Sequence, residues 1–578
     1  MNEPIRTFMM NRLWALQLAN GYIRDEDIRM LAVEFDLSAI EIEGVVSFYH
    51  FFHRKPTGKY TIYLNNSIIA DHKGFQRVKE TFERETGATF GSVDRTGTFG
   101  LFLTPCIGLS DHEPSALINF QPFTHLNAIR VKDTISSLRR GLDVEILSDS
   151  PSDNIRYTPP SGTIFFRDFE PGNALKKAAL LGGNGVLDEL RASELSGRGG
   201  AYYPTWKKWL AAKNAQGQTR YVVCNADEGE PGTFKDRALM NARPETLLEG
   251  MLLCGFTIQA PKGIIYLRGE YRWLLPKLNS AIERFRKLGL LGKDCGGIKG
   301  FDFDIRVQMG AGSYVCGEET ALLESLEGKR GEPRTKWFFP VEKGYLQQPT
   351  VINNVETFCA ATRIIDMGSA EWCRTGIPGS PGVKLLSVSG DCKLPGIYEI
   401  EWGMTIAELL ELCEAENPWY IQISGPSGEC ISIKEKYRRI SMLDLLARKD
   451  IRSGGSVMVF NNQRDLAKVL LNFSSFFKSE SCGICTPCRA GNFIIQRKLE
   501  RLDDGLANDK DLEELKSWGM IMKNTSRCGL GKTATNSLIY AMDKFSDYFK
   551  ERLDKDFNGL NLKFDLEAAT EAYEQYRI

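Results

Sequence analysis

Four of the fourteen cysteines are spaced for metal chemistry. Cys482-Gly483-Ile484-Cys485-Thr486-Pro487-Cys488 is a C-x2-C-x2-C run, and Cys528 lies beyond it in Arg527-Cys528-Gly529-Leu530-Gly531. Three thiolates so spaced can wrap one face of a [4Fe–4S] cube, and a remote fourth completes the ligand set. Gly483 and Gly529 let backbone approach the sulfides, and Arg489 and Arg527 can partly offset the cluster's negative charge. Four thiolates also suit tetrahedral zinc, but zinc sites usually arrive as two C-x2-C knuckles. The triple run favours iron and sulfur. The remaining ten (Cys106, Cys224, Cys254, Cys295, Cys316, Cys359, Cys373, Cys392, Cys413 and Cys430) are scattered singly, and read as small packing residues.

A second kind of chemistry is suggested by three glycine-bearing segments. Gly197-Arg198-Gly199-Gly200 is neither a GxGxxG fingerprint nor a Walker loop, yet its N–H groups could cup a phosphate beside Arg198 and Lys208. Asn225-Ala226-Asp227-Glu228-Gly229-Glu230-Pro231-Gly232 follows a predicted strand, where loops of α/β sheets carry ligands. Gly310-Ala311-Gly312-Ser313-Tyr314-Val315-Cys316-Gly317-Glu318-Glu319-Thr320 opens a predicted helix through Leu326. Acids beside glycine loops suit a ligand with both phosphate and polyol parts; alone, each would pass for a solvated acidic turn. All five histidines lie within the first 125 residues, which disfavours a histidine-based nucleophilic triad in this region. Hydride transfer needs no such group, because the cofactor does the chemistry.

These residues need elements to hold them. Residues 1–55 carry helical periodicity. An α/β pattern follows to about 145, with strands at 59–64, 100–103 and 116–119 and a helix over 74–85. The Ser-, Asp- and Pro-rich stretch 148–162 is the best linker, within a span of 146–170. Residues 171–378 alternate glycine loops with apolar strands at 221–224 and 264–267, the pattern of an α/β nucleotide-binding domain. Residues 381–462 read as a small α+β module with strands at 384–388 and 457–460 around a helix at 406–413. From 463 to 578 the pattern is helical and encloses the four clustered cysteines. The fold class is multidomain, α/β and α.

With 578 residues the chain has room for several domains. Its 73 basic and 74 acidic residues leave no broad positive surface for nucleic acid. No apolar stretch is long enough to span a membrane, and Met1-Asn2-Glu3-Pro4-Ile5-Arg6 is not an export signal. A cytoplasmic location follows, and with it reduced cysteines.

In order and in detail, Gly197-Arg198-Gly199-Gly200, Asn225 to Gly232, Cys316-Gly317-Glu318-Glu319 and the four spaced cysteines resemble the NADH-binding flavoprotein subunit of respiratory complex I. They equally resemble the diaphorase subunits of soluble NAD-reducing hydrogenases and NAD-dependent formate dehydrogenases. The resemblance covers about residues 170–578. It implies FMN in the α/β domain, a ubiquitin-like module at 381–462 and a helical bundle carrying the cluster. Gly197, Arg198, Gly199, Lys208, Asn225, Asp227, Glu228, Gly317, Glu318, Asn353, Asn354 and Thr357 are then FMN contacts. Tyr203, Glu230, Glu319, Lys336 and Phe339 fall on the NAD(H) side, with Glu230 and Glu319 as the candidate catalytic residues and Glu319 helping to orient the nicotinamide. Tyr202 stands where the family usually has glycine, and Ala211 where an aromatic often stacks on the adenine.

Residues 56–145 resemble the thioredoxin-like partner of that flavoprotein, here fused to it. The partner holds a [2Fe–2S] cluster with C-x4-C and C-x3-C; this chain has Asn65 and Ala70, then Cys106 and Ser110. One cysteine in four predicts a cluster-free domain, and His72 and His112 are poor substitutes. The fusion favours a hydrogenase diaphorase subunit. It would exchange hydride between NAD(H) and FMN and pass single electrons through the [4Fe–4S] cluster to an iron–sulfur subunit and a hydrogenase module. A formate dehydrogenase β-subunit, a complex I subunit and a non-catalytic iron–sulfur scaffold are the alternatives.

Overall fold

The computed structural model describes residues 4–446 and 453–554; the helical reading of 555–578 and the sequence of residues 1–3 lie outside the described residues. Three short helices, Met9–Asn20, Asp25–Phe35 and Ala39–Val46, form the N-terminal leader. It is not a separate body. Met9, Leu13, Trp14, Leu31, Val46 and Phe51 share one continuous apolar core with the α/β domain. The Trp14 indole donates to the Gly310 carbonyl at 3.0 Å. His50 and Phe51 donate backbone N–H groups to Gly312 and Ala311 at 3.1 Å each.

Residues 56–145 build a five-stranded sheet in the order Ser92–Val93, Phe99–Thr104, Tyr60–Asn65, Ala116–Ile118, Gln121–Phe123. Tyr60–Asn65 runs parallel to Phe99–Thr104 and antiparallel to Ala116–Ile118. Helices Phe75–Thr86 and Ala128–Arg139 cover it, burying Val78, Phe82, Val131 and Ile135.

The α/β domain is a fully parallel four-stranded sheet in the order Thr350–Asn354, Tyr221–Ala226, Lys262–Leu267, Asp304–Met309. The chain proceeds outward from Tyr221–Ala226 on one side and places its last strand on the other. The topological switch point therefore falls between Tyr221–Ala226 and Thr350–Asn354, where open α/β sheets bind ligands at their carboxyl ends. Val222, Val223, Ile264, Ile265 and Val351 are buried, as expected of strands with both faces covered.

Glu429–Ser432, Pro418–Ile423, Ser456–Asn461, Val383–Gly390 and Gly396–Glu401 form a mixed sheet beside helix Ile406–Leu412. Its sixth strand is Ile155–Tyr157, from the stretch read as a linker, lying parallel to Gly396–Glu401. Glu399 is fully buried and accepts N–H bonds from Ile164 at 2.6 Å and Phe165 at 3.1 Å. The linker is therefore bound down along its length; sequence composition gave no sign that a strand would come to claim it.

From Leu466 to Glu551 the described chain is helical. Helices Leu466–Glu480, Thr486–Asp503 and Asp509–Thr525 pack through Phe473, Ile495, Leu499, Leu515 and Met522. Ile68 and Ile69 of the N-terminal sheet domain join that same core. Among the described residues no helix is long and apolar enough to cross a membrane.

Candidate functional site

A cavity of about 280 Å³ opens at the switch point. Loops following three strands supply its walls: Asp227, Glu228, Gly229 and Glu230 after Tyr221–Ala226, Tyr314, Gly317 and Glu318 after Asp304–Met309, and Asn354 at the end of the outer strand. Gly199 and Gly200 close one side, and Ser424 and Ser427 arrive from the mixed sheet. Gly529, Leu530 and Thr533 complete it, so the residue immediately after Cys528 is part of the wall.

Local structure explains the placements. Asn354 caps helix Val355–Met367, accepting from the Glu356 N–H at 3.0 Å. Glu318 caps Glu319–Leu326, accepting from Thr320 at 2.9 Å and Ala321 at 3.0 Å. Both are side chains at helix N-termini, where anions and acceptors are favoured. The Asn225 side-chain amide donates to the Gly317 carbonyl at 2.9 Å, tying two walls together. Glu228 accepts from Asp236 N–H at 2.8 Å, Arg237 N–H at 3.1 Å and the Tyr271 hydroxyl at 2.9 Å. Glu230 accepts from the Tyr314 hydroxyl, and from Ser427 N–H at 3.0 Å. Desolvation lifts the Glu230 carboxyl to about 7, and burial drives Asp227 well above the carboxylate range. The Asp227 backbone N–H donates to the Asn225 side-chain oxygen at 3.1 Å, fixing the turn that carries it. Asp227 lines the cavity, where a carboxyl kept protonated by burial can both donate to and accept from a polar ligand.

The sequence-derived residues do not all reach this cavity. Gly199, Asn225, Asp227, Glu228, Glu230, Gly317, Glu318 and Asn354 line it. Gly197 and Thr357 stand behind: Gly197 N–H bonds the Tyr203 carbonyl at 2.9 Å, and Thr357 accepts from Arg198 N–H at 2.9 Å. The Arg198 guanidinium turns away from the ligand space. It is buried against Trp402 and Trp372, 5.1 and 5.9 Å from their ring centres. Asn353 accepts from the Trp209 indole at 3.2 Å. Lys208 pairs with Glu319 and donates to the Ile352 carbonyl at 2.9 Å. Tyr203, Lys336 and Phe339 are exposed outside the cavity wall. Tyr202 adopts a φ of 50°, in the left-handed region that favours glycine. Its hydroxyl bonds the Ser453 carbonyl at 2.8 Å, and its ring meets Trp402 edge-on.

Lys235, Asp236, Tyr314 and Ser427 were not foreseen as wall residues. Lys235 is buried and paired with Asp236 at 2.6 Å and Glu356 at 3.1 Å. A Lys-Asp pair three residues after Gly232 was a usable signal. Ser427 had none, since nearly 200 residues separate it from the loops it joins.

The four spaced cysteines gather in one small cluster with Val315, Phe477 and Leu530. Cys485 and Cys528 each precede a helix, Thr486–Asp503 and Gly529–Thr533, and Cys488 sits in the first turn of the former. Burial pushes the Cys488 and Cys528 thiols up to about 11. Thiolates there need cationic partners, which the irons of a cluster supply. Asn492 and Ser481 each lie 3.3 Å from the Cys488 sulfur. Of the ten single cysteines, nine are buried and Cys373 is exposed.

The residues present in the N-terminal domain do not fit a [2Fe–2S] cluster. Asn65 donates to the buried Glu113 carboxyl, which also accepts from Ser115 at 2.9 Å. Cys106 lies 3.4 Å from the Ser110 hydroxyl. His112 is engaged with His125 at 3.1 Å and the Ser152 carbonyl at 3.0 Å.

Fold and site together define a chain in which a thioredoxin-like domain, an FMN-binding type of α/β domain and a four-cysteine region are joined. Residues 190–363 match the Nuo51 FMN-binding domain, residues 3–139 the thioredoxin-like [2Fe–2S] ferredoxin family, and residues 468–552 the NADH-ubiquinone oxidoreductase-F iron–sulfur binding region. The alpha subunit of the NAD-reducing hydrogenase HoxS of Cupriavidus necator is 46% identical, over 99% of this chain and 96% of that one. An NADH-quinone oxidoreductase subunit of Aquifex aeolicus is 39% identical over 65% of this chain and 88% of its own. A crystal structure of an NAD+-reducing [NiFe]-hydrogenase in the H2-reduced state superposes with a TM-score of 0.90 at 33% identity, covering 100% of this chain and 97% of that chain. The chain belongs to the family of NAD-reducing hydrogenase alpha subunits.

Proposed function

We propose that this chain is the diaphorase subunit of a hydrogenase complex: an NADH:acceptor oxidoreductase that carries FMN and one [4Fe–4S] cluster and exchanges electrons between NAD(H) and partner subunits. The observation that carries the reading is the shared wall, where Gly529 and Leu530 line the cavity directly after the cluster ligand Cys528. FMN, when bound, takes hydride as an electron pair and releases electrons singly, which a one-electron cluster requires. The chain's residues do the rest. Asp227, Asn225 and Glu228 offer acceptors and donors to the ring and polyol, and Gly199 and Gly200 let backbone approach a phosphate. Glu230 and Glu319 orient the nicotinamide side, and Tyr203, Lys336 and Phe339 guide the dinucleotide from the rim. Lys208, paired with Glu319, holds that carboxylate in place until substrate arrives. Cys482, Cys485, Cys488 and Cys528 hold the cluster.

In this reading residues 381–462 are a ubiquitin-like module, 463–578 a helical bundle, and 56–145 a thioredoxin-like domain without a cluster. The partners are the iron–sulfur electron-transfer subunit of the diaphorase and a hydrogenase module, in the cytoplasm. Purified chain reconstituted with FMN should bleach its flavin band on NADH addition, reduce an artificial acceptor and contain about four irons. No bleaching would leave the scaffold reading standing, and about six irons would put a second cluster back.

A further inference from the structure

The loop that once would have held the second cluster is not a surface remnant. Residues 105–111 press against the back of the flavin cavity, through contacts that are buried. Arg237 forks onto Asp111, at 2.9 Å to one carboxylate oxygen and 3.0 Å to the other, and donates a further bond to the Gly108 carbonyl at 2.8 Å. Arg268 bonds the Cys106 carbonyl at 2.8 Å and, with its other terminal nitrogen, the Glu228 carbonyl. Gly108 has a φ of 73° and admits the Tyr271 ring so closely that a Cβ would lie 2.1 Å from its hydroxyl oxygen. Arg237 is wholly buried and Asp111 nearly so.

All three gripped residues converge on Glu228. Tyr271 donates its hydroxyl to the Glu228 carboxylate, Arg237 donates its backbone N–H to the same carboxylate, and Arg268 holds the Glu228 carbonyl. Glu228 lines the cavity. We propose that the loop is a brace, in which Asp111 and Gly108 act through Arg237 and Tyr271 to fix the Glu228 carboxylate against the flavin. Asp111 is thereby a positioning residue for a cofactor it never touches. A forked, fully buried ion pair tolerates one orientation only, and losing one partner strands the other's charge. A domain without thiol ligands for a cluster thus serves as a rigid backing for its neighbour's cofactor site.

The inference rests on the FMN reading above, and the test separates the two. Full-length protein stripped of flavin is titrated with FMN by fluorescence quenching, and the flavin midpoint potential is measured after reconstitution. Asp111→Asn keeps the shape and removes the charge; Tyr271→Phe removes only the hydroxyl on Glu228. Each should weaken FMN binding about tenfold, the scale of one lost hydrogen bond to a charged group, and shift the potential. The double variant should fall short of the product of the singles, because both act on one carboxylate. Wild-type FMN affinity and potential in Asp111→Asn, or strict multiplicativity in the double variant, would overturn the brace. Should Asp111→Asn fail to fold, Arg237→Lys keeps the charge pair, loses the fork and is judged by the same criteria. A wild-type chain that binds no FMN would instead remove the parent reading, and the brace with it.

Discussion

Glu113 is a buried acid in the N-terminal sheet domain, beside Asn65. Its carboxyl is held by Asn65 and Ser115 in a buried pocket, and desolvation lifts it to about 8 from an ordinary 4.5. An acid raised in this way stays protonated in the folded chain while the unfolded chain ionises. Its contribution is complete below about pH 4.5 and is lost as pH rises towards 8, by up to about 1.4 kcal/mol per unit. Glu113→Gln can keep both hydrogen bonds and removes the titration. Denaturant melts from pH 5 to 8 should show a shallower decline for the variant, and parallel declines would mean the carboxyl is not proton-bearing. At this scale the sequence was most legible where chemistry is written in residue type. Four thiols in a C-x2-C-x2-C run with a remote fourth, and acids beside glycines, pointed to a [4Fe–4S] cluster and FMN, as do the iron–sulfur and FMN-binding families that match. It was least legible where a side chain has a choice of direction: Arg198 looks like a phosphate ligand by spacing, yet its guanidinium lies between two tryptophans that the local sequence does not mention.

Helices and strands were legible wherever a period ran its course. The strands at 221–224 and 264–267 appear as Tyr221–Ala226 and Lys262–Leu267, and the helix at 406–413 as Ile406–Leu412. Strand Ile155–Tyr157 was not, because three residues in a Ser- and Pro-rich stretch have no period to show; only the edge of Gly396–Glu401 makes them a strand. Element packing also bears on the four spaced cysteines. Helix Thr486–Asp503 carries Cys488 and rests on Asp509–Thr525 at Gly491, where a Cβ would sit 2.4 Å from the Met522 sulfur. Gly491→Ala should therefore push the helices apart against a packed neighbour and cost about 1–3 kcal/mol. Because Cys488 is less than one turn away, the same variant should release iron to a chelator faster than wild type. A lowered melting temperature with unchanged iron release would confine the effect to the helix pair and detach the cluster's hold from its packing.

Across the whole molecule, the surroundings of the cavity are held by contacts that cross from one domain to the next. The leader bonds the 310–312 loop, Ser427 of the mixed sheet bonds Glu230, and Lys384 of that sheet pairs with Glu356 below the cavity. Such long-range contacts are invisible to local pattern, which is why the chain reads as a row of modules while the structure joins them. Glu399 is the clearest single test of that joining. It lies on a strand of the mixed sheet and accepts from Thr163, Ile164 and Phe165, while Arg363 of the α/β domain grips the Phe165 and Arg167 carbonyls of the same segment at 3.0 and 2.7 Å. Glu399→Ala strands three donors, two of them buried backbone N–H groups, each worth about 1–3 kcal/mol when unsatisfied. Calorimetry on the wild type should give one cooperative transition if the domains unfold together, and the variant should separate into two, with the mixed sheet melting first. If both proteins melt in one transition of equal midpoint, the 155–168 segment is not what couples the halves, and the coupling must run through the cavity wall itself.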